Sequence, residues 1–70
     1  MDSALKTLIR ECVQKVGDPL MEDIYEYVCQ RGHTKNDARV KVLEMVNFGE
    51  LRMKEDLIDH DWTYRKGINW

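Results

Sequence analysis

The chain is poor in residues that break, crosslink or anchor a polypeptide. Its 70 residues include one proline, Pro19, and four glycines, Gly17, Gly32, Gly49 and Gly67. That is too few for a linker or low-complexity stretch, so residues 1–70 are expected to form a single domain. The only cysteines, Cys12 and Cys29, both fall on predicted apolar helix faces, where a free thiol behaves as a small buried hydrophobe. Together with two distant histidines, His33 and His60, they do not make the spaced four-ligand set of a structural zinc site. Neither a metal nor another cofactor is expected. No apolar run exceeds three residues, too short for a transmembrane helix or the apolar core of a secretory signal. No membrane association and an intracellular, cytoplasmic location are therefore expected. The one grouping with acid–base or metal-binding potential, Asp59-His60-Asp61, reads as a solvated hairpin tip, and no catalytic constellation accompanies it. An enzyme is not expected.

The charge distribution says more than the net charge of −2. Residues 34–54 carry five basic and three acidic groups. Residues 55–61 carry four acidic groups (Glu55, Asp56, Asp59 and Asp61) and no Lys or Arg. The positive excess lies in the middle of the chain and in its last residues, on either side of an acidic knot.

Residues Ser3 to Val16 place Leu5, Leu8, Ile9, Cys12, Val13 and Val16 at the spacing of an amphipathic helix, capped by Asp2 or Ser3 and stopped by Gly17. Asp18-Pro19 reads as an N-cap followed by a first-turn proline, opening a second helix that runs to about Arg31 and ends at Gly32. Tyr25 and Tyr27 are expected at the edge of its core face. A third helix starts at Thr34 or Asn36 and ends at Gly49. Ala38, Val42, Leu43, Met45 and Val46 form its predicted inner arc, and Asn36, Asp37, Val40, Lys41, Glu44 and Asn47 its outer one. Phe48 falls off the stripe and is expected to pack on the strand or the C-terminal tail. Leu51 and Met53 alternate with polar residues, as do Trp62 and Tyr64, which predicts two paired strands around a loop from about Glu55 to His60. The tail, residues 66–70, either adds a strand contact or hangs free.

Three helices followed by a β-hairpin make an α+β layout. The stretch Asp37-Ala38-Arg39-Val40-Lys41-Val42-Leu43-Glu44-Met45-Val46-Asn47-Phe48-Gly49-Glu50-Leu51 resembles the third helix and first wing strand of the winged-helix (winged helix-turn-helix) family. Ala38, Val42, Met45 and Gly49 stand at the family's apolar, apolar, apolar and glycine positions. Asp23-Ile24-Tyr25-Glu26-Tyr27-Val28 is similar to its second helix, so the resemblance covers almost the whole chain.

The resemblance implies a small double-stranded DNA-binding protein, a transcriptional regulator or architectural factor, with helix 34–48 in the major groove and the hairpin on the backbone. It implies DNA contacts from Thr34, Lys35, Asn36, Arg39 and Lys41 on the helix, and from Arg52, Lys54 and Arg65 on the hairpin. Asn36 has the chemistry to read adenine, and Arg39 or Lys41 to contact guanine or phosphate. Winged-helix proteins often pair, which makes a homodimer one expected form. Against this stand Asp37, Glu44 and the acidic residues of the wing, whose carboxylates repel phosphates. They favour the alternative, a winged-helix module whose partner is another protein.

Overall fold

A computed structural model describes residues 3–55 and 61–70. Three helices, α1 (Ser3–Val16), α2 (Met21–Cys29) and α3 (Lys35–Asn47), are followed by two strands, β1 (Leu51–Glu55) and β2 (Trp62–Lys66). The strands pair antiparallel, with Leu51 opposite Lys66, Met53 opposite Tyr64 and Glu55 opposite Trp62. The three-helix-plus-hairpin layout is the one expected. Among the described residues, no helix is long and apolar enough to cross a membrane. Asp2 and the side chain of Ser3, the expected cap, and Asp56, Leu57, Ile58, Asp59 and His60 of the hairpin loop lie outside what the structure describes.

One core joins all five elements. Leu5, Ile9, Cys12 and Val13 from α1 meet Ile24 and Val28 from α2, Ala38, Val42 and Met45 from α3, Leu51 from β1 and Tyr64 from β2. An isolated two-stranded hairpin is marginal in water, so Leu51 and Tyr64 are what fasten this one to the helices.

The segment before α2 departs from expectation. Asp18 does not cap the helix. It adopts a positive φ of 48° and its carboxylate accepts a hydrogen bond from Arg65 Nη2 at 2.9 Å. Pro19 is buried outside the helix, and its carbonyl accepts the Tyr64 N–H at 2.9 Å, while Leu20 forms a bridge to Thr63. An exposed strand edge leaves backbone groups unpaired, and Pro19-Leu20 covers that of β2. The helix therefore starts at Met21, and the Asp23 carboxylate accepts the Leu20 N–H at 3.0 Å. At the other end α2 stops at Cys29, two residues before the expected Arg31. The Arg31 guanidinium turns back and stacks 3.7 Å from the Tyr27 ring.

The turn after α3 explains both the tail and two glycines. The Glu50 N–H donates to the Met45 carbonyl at 2.8 Å, closing the helix through Gly49 at φ 77°, a conformation that side chains with a Cβ disfavour. The tail then wraps this turn. Gly67 N–H donates to Glu50 O, Asn69 N–H donates to Gly49 O, and the Asn69 amide Nδ2 donates to Phe48 O. A Cβ at Gly67 would fall against the Gly49 carbonyl, backbone that cannot move aside. Gly67→Ala is therefore expected to cost about 1–3 kcal/mol as an overpacking change. A domain of this size should then lose roughly 5–20 °C of thermal midpoint, measured by circular dichroism.

Glu50 sits under the same turn, its side chain only 16% exposed. Its carboxylate holds Lys6 at 2.6 Å and Arg10 at 3.4 Å, and Arg10 reaches on to the Trp70 carbonyl at 3.2 Å. These contacts tie α1 to the start of β1 and to the tail.

Candidate functional site

Thr34 begins the candidate surface as the N-cap of α3. Its Oγ1 accepts the Asp37 N–H at 3.1 Å. That bond uses one lone pair of the hydroxyl as an acceptor and leaves its O–H free to donate, so the expected DNA contact from Thr34 is compatible with the cap. Asp37 now has a local reason for being there, because a carboxylate in the first turn complements the helix dipole. Lys35, Asn36 and Arg39 follow, all exposed, and neither cation makes an ion pair with a described residue.

Lys41 is different. Its side chain is 15% exposed and lies 3.5 Å from Glu44 one turn on, which removes both the cation and the carboxylate from the free charge of the face. Glu44 is thus paired within the helix with Lys41, whereas the Asp37 carboxylate stays exposed and makes no ion pair with a described residue.

Leu43, expected on the inner arc, is 49% exposed, alongside Val40 at 52%. The outer face of α3 is centred on Asn36, Val40, Leu43 and Asn47, spaced four, three and four residues apart. That spacing was available in the sequence, but Leu43 matched the inner pattern equally well. Phe48 also departs from expectation: it is 59% exposed rather than packed on the strand or tail.

On the hairpin, alternation places Leu51, Met53 and Tyr64 toward the core and Arg52, Lys54, Thr63 and Arg65 on the opposite face. Arg52 and Lys54 are exposed and make no ion pair with a described residue. Arg52 stands directly opposite Arg65, and Lys54 directly opposite Thr63, whose hydroxyl donates to the Lys54 carbonyl at 3.1 Å. Like charges directly across an antiparallel pair destabilise it. Asp18 neutralises Arg65 from outside the hairpin.

Sequence reasoning placed both cysteines on apolar faces, but only Cys12 is buried and Cys29 is exposed. Burial, reinforced by the charge of Asp23, pushes the Cys12 thiol up to about 11. Burial likewise raises the Tyr64 phenol above its ordinary value. Both groups are neutral in the fold, and both ionise more readily in the unfolded chain. Their contribution to stability is complete below pH 9 and declines as pH rises toward 11. A thiol reagent at pH 8 should titrate one cysteine in the native protein and two in denaturant. Prompt reaction of both in the native state would contradict the burial of Cys12.

No protein-family model matches the chain, and neither a curated protein nor a solved structure matches it.

Proposed function

We propose that the protein is a small DNA-binding module of the winged-helix kind, acting as a transcriptional regulator or architectural factor. In this reading α3 enters the major groove and the outer face of the hairpin lies on the phosphate backbone. One observation carries it: Arg52 faces Arg65 across the hairpin, with Lys54 on the same face and, among the described residues, only Asp18 paired with any of them. A sheet face that opposes two arginines is poorly arranged for folding and well arranged for a polyanion.

Lys35 and Arg39 supply free cations on α3, and the exposed Asn36 and Val40 beside them suit the base edges. An amide pairs bidentately with adenine N6 and N7, and an aliphatic side chain fits the thymine methyl. Lys35, Arg39, Arg52 and Lys54 together neutralise four phosphates. The affinity for a random-sequence duplex should then fall with a log–log salt slope of about −3.6, roughly a 100-fold loss between 50 and 200 mM salt. Fluorescence anisotropy with a labelled duplex measures it, and a slope near zero would overturn the reading. So few contacts give modest affinity, which a homodimer on two half-sites would raise.

The second reading, a protein-interaction module, has its own observation. Val40 and Leu43 are half exposed together at the centre of the α3 outer face, and such an exposed apolar pair also suits a protein partner. A Val40→Ser and Leu43→Ser double variant separates the two readings. It should leave the salt slope for random-sequence DNA unchanged while abolishing association with a protein that docks there.

A further inference from the structure

On the core-facing side of the hairpin, where β2 meets the start of α2, lies a cleft of about 290 Å³ lined by Leu20, Met21, Glu22, Asp61, Trp62 and Tyr64. The register puts Trp62 on the same face of the hairpin as Met53 and Tyr64. Tyr64 is buried, whereas Trp62 stands past the edge of the core and remains 49% exposed. Its indole is a wall of the cleft, and Leu20, Met21 and Tyr64 supply apolar surface beside it. Glu22 and Asp61 are exposed, and neither carboxylate makes an ion pair or hydrogen bond with a described residue. Asp61 also closes the acidic run of residues 55–61, which contains no Lys or Arg.

We infer that this cleft receives a lysine or arginine side chain from a basic segment of a partner protein. Each part of the side chain has a counterpart. The methylene stem lies on Leu20 and Met21, as long cationic side chains do on apolar surface. The charged head is attracted to the indole face and to two unpaired carboxylates. The same carboxylates repel phosphate, so the cleft does not extend the cationic face of Arg52 and Lys54. It would let the module hold a basic protein segment while its other face is occupied, and it stands whether or not the DNA reading does.

The test is a titration of the ¹⁵N-labelled protein with a tetra-arginine peptide blocked at both ends, followed by the Trp62 indole N–H and the Leu20–Glu22 amides. A blocked peptide of four diaminopropionic acid residues, cationic but without the long stem, is the comparison probe. The expected result is saturable shifts centred on these groups, with the short-stem peptide several-fold weaker. The Glu22→Gln and Asp61→Asn double variant should bind tetra-arginine about 5-fold or more weakly. Glu44→Gln, an acidic change elsewhere, should leave its binding unaltered. Trp62→Leu should weaken it about 2–5-fold while the amide spectrum stays dispersed. Shifts that spread without saturating, equal response to both peptides, or indifference to the double carboxylate change would each overturn the inference. The two carboxylates are exposed, so their variant remains informative even if Trp62→Leu unfolds.

Discussion

Replacing Arg52 and Lys54 together with glutamate is expected to weaken binding to a random-sequence duplex about 100-fold or more at 50 mM salt. The salt slope should fall from about −3.6 to about −1.8, because two of four neutralised phosphates are lost. The effect on folding should have the opposite sign. Arg52 faces Arg65 across the hairpin, so a glutamate at position 52 turns a like-charge pair into an attractive one. Such cross-strand pairs contribute about 0.2–1 kcal/mol, and both substituted side chains are exposed. Thermal stability should therefore hold or rise slightly while binding collapses. A surface built only for the fold could not show that combination. If the double variant binds DNA as the parent does, the hairpin is not part of a nucleic-acid surface.

Ile24→Ala should produce the largest loss of stability. Ile24 is fully buried in α2, within the cluster that α1, α3 and both strands share. Truncating a buried isoleucine to alanine costs about 2–5 kcal/mol, from lost transfer free energy and from the cavity left behind. A chain of this length has a total stability of only about 3.5–10 kcal/mol. The variant should lose roughly 10–30 °C of thermal midpoint, and much of the population should be unfolded at 37 °C. The exposed Val40→Ala is the matching control and should shift the midpoint by little, since exposed positions usually change stability within about 0.5 kcal/mol. Equal effects from the two substitutions would mean that α2 does not pack as described.

Helical periodicity and strand alternation made the layout legible from the residues alone. Ile9, Ile24, Val42 and Met45 recur at core spacing, and Leu51 and Tyr64 sit at strand spacing, because burial of an apolar face imposes those periods. Gly49 marked the end of α3 correctly, since the closing turn needs a positive φ there. The misreadings come from tertiary demands. Asp18-Pro19 has the local chemistry of a helix start, but the open edge of β2 recruits Pro19 and Leu20 and delays α2 to Met21. Leu43 and Phe48 are apolar yet exposed, and apolarity alone does not say which side of a short helix faces the core.

The candidate surface was less legible than the fold. Sequence could nominate Lys35, Arg39, Lys41, Arg52, Lys54 and Arg65 as cations, but not say which were already paired. Lys41 is held to Glu44 and Arg65 to Asp18, while the other four make no ion pair with a described residue. The opposition of Arg52 and Arg65 depends on register. Fixing the register across a loop needs the far strand placed, which no local pattern supplies. The cleft beside Trp62 was hidden for the same reason, since it joins residues about 40 positions apart in the chain.

In the proposed function, α3 and the outer hairpin face form one DNA-binding surface. The most direct measurement is an amide chemical-shift titration with random-sequence duplex DNA at 50 mM salt. Shifts are expected to concentrate at residues 34–40, 52–54 and 63–65 and to diminish as salt is raised to 200 mM. No shift at those positions at 50 mM salt, or shifts confined to Leu20–Glu22 and Trp62, would contradict that function.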